Sequence, residues 1–289
     1  MIGLEIDFPK YVTARLVAYA QRSKDGAAYS YSGASKTRRA IESSKPVVIA
    51  MEATSRLWLG KAKNELYQAC QKADSKTQPR VYAAASKASE ALKLASIPEI
   101  LVGPGFDFSS RTLGNQDEAL IVINENVIDT LDDNELVALV AKEIAHIQND
   151  HALFTTCAHY LQNNAVFFIR WIVQPALLAL KTWSRKAEIT SDRAALIATM
   201  NLKTVVSMEL KITGNKEQNP EELIQAAKNI EGAGFKELFK SHPSLPLRIA
   251  ALNVFSESKY FLNLKGESKD NAPNAMETDQ RIAELLSTF

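Results

Sequence analysis

Apolar residues recur at intervals of three and four positions between Glu135 and His151, and this spacing predicts an amphipathic α-helix. The apolar face is formed by Leu136, Leu139, Val140, Ile144 and Ile147. Asp132, with Glu135 three residues later, has the pattern of a capping box and predicts where the helix begins. The remaining segments are interpreted around this helix.

The rest of the chain fits a mostly helical α+β fold with a small sheet. Apolar, β-branched runs predict strands at Ile100–Val102 and Ala119–Asn124. The glycine-rich stretch Gly103–Asn115 predicts a loop that can include a bent strand, and Ser23–Ser35 predicts a loop. Further helices are predicted over Pro9–Arg22, Pro46–Asp74, Arg80–Ala95, Asn201–Ile212, Pro220–Gly232, Leu247–Phe255 and Ala275–Phe289.

A polar break at Asp74–Pro79 suggests a boundary between two parts of the chain. We expect residues 1–78 to form a helical segment that packs on a core domain of residues 79–255. Residues 256–289 are expected to form a flexible tail that ends in a helix, because Ser256–Pro273 is polar and lacks periodicity.

The composition is that of a soluble globular protein, with 46% hydrophobic residues and a formal net charge of +1. This near-neutral charge gives no electrostatic case for nucleic acid as a partner. Charged residues and a proline interrupt any apolar run in Met1–Lys10, which argues against a signal peptide there and for a cytoplasmic protein. The two cysteines are expected to be buried thiols rather than a disulfide.

The most apolar region is Cys157–Leu180. Within it, Ala165–Leu180 could suggest a membrane span, but this run is shorter than the ~20 residues that a span needs. Arg170, Gln174 and Pro175 also interrupt it. A buried helical hairpin that covers the motif helix is the favoured interpretation. The alternative is peripheral membrane contact through Phe167, Phe168 and Trp171.

The candidate chemistry lies within the first helix, in Lys142-Glu143-Ile144-Ala145-His146. Zinc-protease helices carry His-Glu-x-x-His at this spacing, since residues four apart share a helix face and two imidazoles can bind one ion. Here Lys142 stands at the position of the first His. On this helix alone, a solvated Lys142–Glu143 pair beside an ordinary His146 is the simpler interpretation.

Two later segments change this balance. Ser184, Arg185, Glu188 and Asp192 have the order Ser-Arg-x-x-Glu-x-x-x-Asp, and Ser241–Leu252 contains His-Pro followed by Arg-Ile-x-x-Leu. Together with the strand and helix of 119–150, they resemble the gluzincin peptidases of the HtpX, Oma-type and CAAX-prenyl endopeptidase family. The resemblance covers residues 79–255. It implies a zincin-type fold, with a small sheet edging an active-site helix.

The resemblance also implies zinc as the cofactor and roles for individual residues. His146 and Glu188 would be metal ligands, and Glu143 would be the general base and later the proton donor. Asp192 would not bind the metal itself but would orient a ligating His.

Two more residues are candidates for contact with the substrate or the oxyanion by the same resemblance. They are His242 and Arg248. Simpler alternatives are a structural turn for His242 and an ion pair with Asp192 for Arg248. Ala119–Asn124 would edge the cleft and pair with an extended peptide, or it is a plain core strand. The residues before it, Ser109–Asn115, lack the Asn-Ala-x-Ala-like run that relatives usually have.

Lys142 decides which function the sequence favours, because a protonated lysine has no lone pair to offer zinc. We expect its ammonium to occupy the place of the cation and to pair with Glu188, Glu143 or Asp192. His151 is a poor substitute ligand, since five residues along a helix turn it about 140° away from His146.

Three classes of function remain open. The favoured class is a pseudopeptidase with a degenerate zinc site, which binds a peptide or protein segment in its groove and holds zinc weakly or not at all. An active zinc metalloendopeptidase with a substitute ligand, or a native enzyme altered at Lys142, is the alternative. A purely structural protein is the third.

Overall fold

The computed structural model describes residues 26–115, 118–164, 170–230 and 243–286. Its strands are β1 (Gln71–Lys72), β2 (Glu99–Gly103), β3 (Ser110–Gly114) and β4 (Ala119–Asn124). Its helices are α1 (Ser32–Glu42), α2 (Lys45–Leu57), α3 (Lys63–Ala69), α4 (Pro79–Ala91), α5 (Glu125–Thr130), α6 (Asp133–Gln148), α7 (Ala152–Asn164), α8 (Arg170–Thr199), α9 (Leu202–Ile212), α10 (Pro220–Ala227), α11 (Leu245–Ser256), α12 (Lys259–Leu264) and α13 (Ala275–Leu286). The predicted helix Pro9–Arg22 and the candidate residue His242 lie outside the described residues.

The four strands form one sheet in the order β1-β2-β4-β3. Strand β4 pairs with β2 in parallel and with β3 in the antiparallel direction. The strand predicted at Ala119–Asn124 is therefore present, but it lies inside the sheet. The expectation that it edges the cleft is wrong, because β3 occupies that edge and β4 has no free side for a peptide.

Alternating residues cover the two faces of this sheet, as the two-residue period of a strand requires. On one face, Ile100, Val102, Ile121 and Ile123 join the main core with α4, α6 and the C-terminal half of α8. On the other face, Leu101, Leu113, Leu120 and Val122 pack around Trp58. Trp58 begins a π-helical turn, Trp58–Ala62, that joins α2 to α3. The N-terminal helices thus cover the sheet face that α6 leaves open.

Helix α6 begins as its sequence predicts and is buried on every side. The Asp132 side chain accepts hydrogen bonds from the backbone N–H groups of Asn134 and Glu135. The Glu135 carboxylate in turn accepts a hydrogen bond from the backbone N–H of Asp132. Every residue from Glu135 to His146 is buried. Polar side chains on such a helix must therefore find partners within the protein, because water cannot satisfy them.

Three local differences from the sequence prediction have physical causes. Helix α1 begins at Ser32, inside the predicted loop Ser23–Ser35, because Tyr31 and Ala34 are buried and anchor it. The predicted helix Pro46–Asp74 ends at Ala69, since Gln71 and Lys72 pair with β2. The polar segment after Ser256 includes α12, which forms around the single buried Phe261.

Helices α7 and α8 follow the motif helix, and Phe154 of α7 packs against Trp183 of α8 with ring centroids 4.9 Å apart. Most side chains of the apolar stretch Ala165–Leu180 lie outside the described part of the chain, including those of Phe167, Phe168 and Trp171. None of the helices that the structure describes is long and apolar enough to cross a membrane.

Candidate active site and its ion-pair network

Lys142 of α6 points into a group of carboxylates from two other helices. Its Nζ lies 3.1 Å from Asp192 Oδ1 and 3.3 Å from Glu188 Oε2, and it also contacts Glu209 Oε1. Glu188 and Asp192 share one face of α8 because they are four residues apart. Glu209 comes from α9. The side chain of Lys142 is 9% exposed, so this is a buried ion-pair cluster.

Arg248 of α11 is the second cation of the cluster and binds the same carboxylates as Lys142. Its Nε and Nη2 donate to the two oxygens of Asp192, at 2.8 Å and 2.5 Å. Its Nη1 and Nη2 donate to the two oxygens of Glu209, at 2.8 Å and 2.6 Å. This bidentate geometry suits the planar guanidinium. Four helices are thereby joined through two cations and three carboxylates.

The charges in this cluster stabilise one another's ionised forms. Burial and the neighbouring Arg248 act to lower the pKa of Lys142. Three carboxylates outweigh both effects and raise this pKa above its ordinary value of 10.5; they belong to Asp192, Glu209 and Glu188. Burial raises the pKa of Glu209, but Arg248 and Lys142 outweigh burial and hold it below its ordinary value of 4.5.

Glu143, next to Lys142 in sequence, has a different environment. Ser110 Oγ donates to its Oε1 at 2.7 Å, and Thr112 Oγ1 lies 2.8 Å from its Oε2. Ser110 and Thr112 reach the same side of β3 because they are two residues apart. Glu143 is 7% exposed. A solvated Lys142–Glu143 pair, the simpler interpretation of the helix alone, is therefore wrong.

His146 lies one turn after Lys142, and its Nδ1 is 3.2 Å from Nδ1 of His151. The prediction that His151 faces away is wrong, because α6 ends at Gln148 and Asp150 takes a left-handed backbone with φ of 55°. This turn brings His151 back under the helix, where its ring lies edge-on to Trp183. Burial, with His146 and Arg38 nearby, lowers the pKa of His151 well below 6.5.

These residues do not fit a zinc ion. A structural or catalytic zinc site in proteins uses at least three side-chain ligands with free electron pairs. At the first-ligand position, Lys142 is protonated and offers none. Across residues 26–115, 118–164, 170–230 and 243–286, no three His, Cys, Asp or Glu side chains are placed to share a metal ion.

The structure brings together most of the residues that the sequence singled out. Lys142 pairs with Glu188 and Asp192 as expected, whereas the third expected partner, Glu143, is instead held by hydroxyl groups. Arg248 forms the ion pair with Asp192 that was its simpler alternative. The general-base, ligand and substrate-contact roles stay predictions.

Sequence reasoning missed three residues of this site: Glu209, Ser110 and Thr112. A buried acid can be suspected at Glu209, because it lies among apolar residues at Val205, Val206, Met208 and Leu210. Nothing in the sequence shows which cation it meets. Ser110 and Thr112 could have been suggested by their spacing of two in a bent strand.

Comparison with known proteins identifies the domain that holds this site. The model of peptidase family M48 matches residues 112–255. "Plastoglobule-localized metallopeptidase 48, chloroplastic" of Arabidopsis thaliana is 29% identical over 162 residues, which cover 50% of this chain and 47% of that protein. "Protease HtpX homolog 2" of Methanosarcina mazei is 24% identical over 181 residues, 50% of this chain and 61% of that protein.

A third relative, "Protease HtpX homolog" of Prosthecochloris aestuarii, is 25% identical over 190 residues, 54% of this chain and 65% of its own length. The chain thus spans about half to two thirds of the curated relatives it matches. No solved structure gave a significant match. Proteins of family M48 are zinc metallopeptidases, so the family points to metalloprotease function. The mostly helical fold with a small sheet beside α6 agrees with this match, and residues 112–255 of this chain form an HtpX-like domain of peptidase family M48.

Proposed function

We propose that this chain is a non-hydrolytic member of family M48, a pseudopeptidase that binds a peptide or protein segment. The observation that carries the proposal is the Lys142 ammonium, 3.1 Å from Asp192 and 3.3 Å from Glu188. A fixed positive charge stands at the first-ligand position of the motif. The carboxylates that could attract a metal ion are already paired with Lys142 and Arg248.

The electrostatics support the absence of zinc chemistry. A zinc ion brought to this place would be repelled by the ammonium and the guanidinium, and it would compete with them for Glu188. Without a metal-bound water, Glu143 has no activated nucleophile to deprotonate. Its hydrogen bonds to Ser110 and Thr112 give it a structural role instead, since they tie β3 to α6.

Peptide binding is the part of the proposal that rests on the retained framework. Strand β3 still lies beside α6, as expected for a peptidase of this family whose substrate extends along an edge strand. A protein that has exchanged only the metal ligand would keep this recognition surface. The partner is therefore expected to be an extended polypeptide segment.

An active zinc endopeptidase is the second candidate, and one contact favours it. His151 is 3.2 Å from His146 between their Nδ1 atoms, so a second imidazole is available close to the motif. If Lys142 swung away from Glu188, then His146, His151 and Glu188 would be the ligands to consider. The buried ion pairs of Lys142 oppose that movement.

Zinc content separates the two candidates. The protein is purified without added metal, and bound zinc is measured by inductively coupled plasma mass spectrometry, beside Lys142→His and the exposed control Lys87→His. We expect less than about 0.1 zinc per chain for the parent and the control, and about one for Lys142→His, which restores the three-ligand set.

Stoichiometric zinc in the parent would overturn the proposal. Cleavage of β-casein by the parent, abolished by Glu143→Gln, would do the same and would establish the endopeptidase. If Lys142→His also lacks zinc, the parent is still a non-metal protein, and the site differs from that of an active relative at more than one position.

A further inference from the structure

The outer side of β3 is where an added strand would have to pair. Backbone groups of Ser109 and Asn115 pair with β4, through Asn124 N to Ser109 O and Asn115 N to Glu118 O. In an antiparallel pair, the groups of alternate residues point to opposite sides. Ser110, Thr112 and Gly114 therefore direct their backbone N–H and C=O groups away from β4, toward the outer edge.

Helix α7 already holds this edge at two of the three positions. Thr155 Oγ1 donates to the carbonyl of Thr112 at 2.6 Å. Gly114 N–H donates to Thr156 Oγ1 at 2.8 Å, and the same hydroxyl lies 2.9 Å from Gly114 O. Two adjacent threonine hydroxyls thus take the hydrogen-bonding places of a neighbouring strand.

A third contact extends this cover along the strand. Arg111 Nη1 lies 2.6 Å from Nδ1 of His159, one turn further along α7. Because an arginine can only donate, His159 accepts through Nδ1 in its neutral form. The guanidinium also stacks on Phe108, 4.7 Å from the ring centroid.

The opposite side of α7 is buried, so apolar packing as well as hydrogen bonds keeps this helix against the rest of the protein. Phe154 and Cys157 pack with Val47 and Met51 of α2 in a separate apolar cluster. Neighbouring strands lie about 4.8 Å apart and need the same backbone groups that the threonines occupy. A peptide strand and α7 therefore cannot bind the backbone groups of Thr112 and Gly114 at the same time.

From these contacts we infer that α7 is an internal occupant of the peptide-binding edge, which keeps the chain closed to extended polypeptides until α7 moves off β3. The inference rests on the proposed function, because it concerns the regulation of the same groove. Opening requires the two threonine hydroxyls to release the strand. The partner that can then bind is an extended polypeptide, because its backbone groups can replace the hydrogen bonds of the two threonine hydroxyls.

The test uses the whole 289-residue chain and fluorescein-labelled β-casein as an unstructured polypeptide. Thr155→Val and Thr156→Val are combined, since valine keeps the shape of threonine and removes the hydroxyl. The control is Thr199→Val, which loses a hydroxyl bonded within its own helix α8. By fluorescence anisotropy we expect the double variant to bind about tenfold more tightly than parent and control, because a larger fraction of molecules is open.

Hydrogen–deuterium exchange supplies a second readout that does not depend on the variant folding well. In the parent, saturating β-casein should speed exchange in residues 152–160 and slow it in residues 110–114. Tight casein binding without any change in α7 would overturn the inference. Equal casein binding by the double variant and the parent, with faster exchange in residues 110–114 of the variant, would overturn it as well.

The two proposals can fail separately. Zinc in the parent refutes the pseudopeptidase assignment, while protection of residues 110–114 that depends on Thr155 and Thr156 would still support closure by α7. Conversely, a metal-free protein whose β3 edge takes up casein freely keeps the first proposal and removes the second.

Discussion

Lys142 and Glu143 are neighbours on the same helix, are equally buried at 7% exposure, and are stabilised in opposite ways. The Lys142 side meets full charges, with carboxylates from α8 and α9 and a guanidinium from α11. The Glu143 carboxylate is hydrogen-bonded by neutral hydroxyl groups, those of Ser110 and Thr112 of β3, and the Arg111 guanidinium acts on it only through its charge. We call these two regions the ionic side and the hydroxyl side of the site.

The difference shows which interactions the fold depends on. Removing one member of a buried ion pair leaves an uncompensated charge, which costs several kcal/mol. Hydroxyl groups can rotate to donate or accept, so a change of charge on their partner leaves them satisfied. Stability should therefore depend strongly on charge at the ionic side and weakly at the hydroxyl side.

Replacement of Lys142 is expected to give the largest effect. Lys142→Met keeps an unbranched side chain that is one heavy atom shorter, and it removes the ammonium, so that Arg248 alone compensates the carboxylates of the cluster. We expect a loss of about 3–5 kcal/mol in the free energy of unfolding. Urea denaturation followed by circular dichroism at pH 7 measures it.

Lys203→Met is the matched control for this change. Lys203 also forms a lysine–glutamate pair, with Glu221 at 2.6 Å, but both side chains are more than half exposed. No measurable loss is expected there, because solvent screens an exposed pair. Similar losses in the two variants would show that burial does not set the strength of the Lys142 pairs.

Glu209→Gln is expected to have a smaller effect, of about 2 kcal/mol at pH 7, through weakened charged hydrogen bonds to Lys142 and Arg248. Its pH dependence is the sharper result. Because the folded-state pKa of Glu209 lies below its ordinary value of 4.5, its contribution is complete above that pH and is lost as the pH falls further.

The parent should therefore lose stability more steeply than Glu209→Gln as the pH falls below 4.5. Urea denaturation at steps of half a pH unit compares the two slopes. Parallel curves would mean that folding does not lower the pKa of Glu209, and that Lys142 and Arg248 do not hold it ionised.

The ionic side was predicted from sequence only where helical periodicity was sufficient. Glu188 and Asp192 lie four residues apart on one helix, so their common face follows from the spacing. Glu209 and Arg248 reach Lys142 through the packing of α9 and α11, which no local pattern encodes. Arg248 was identified as a candidate because it lies in a motif that resembles the family, whereas Glu209 lies in no such motif.

Sequence patterns also predicted the strands but not their order. Ala119–Asn124 was identified by its β-branched residues, yet its place inside the sheet depends on β3 folding back beside it. His151 was misplaced for a related reason, because a helical wheel does not apply beyond Gln148, where α6 ends. Chain reversals at Asp150 and between β3 and β4 therefore account for the main errors.

Glu143→Gln should give the smallest effect of the series and completes the comparison. Glutamine keeps the size of the side chain and one carbonyl oxygen, and its new NH2 group can donate to a rotated Ser110 or Thr112 hydroxyl. We expect a change below about 1 kcal/mol in the free energy of unfolding at pH 7.

Thr112→Val is the reference variant on the hydroxyl side. It removes the hydroxyl and should lower the free energy of unfolding by about 1–2 kcal/mol, because it leaves Glu143 with one donor fewer. A loss for Glu143→Gln as large as that for Lys142→Met would mean that the negative charge of Glu143 is itself stabilised by the fold. The division into an ionic and a hydroxyl side would then be wrong, since Glu143 would belong to the same charge network as Lys142.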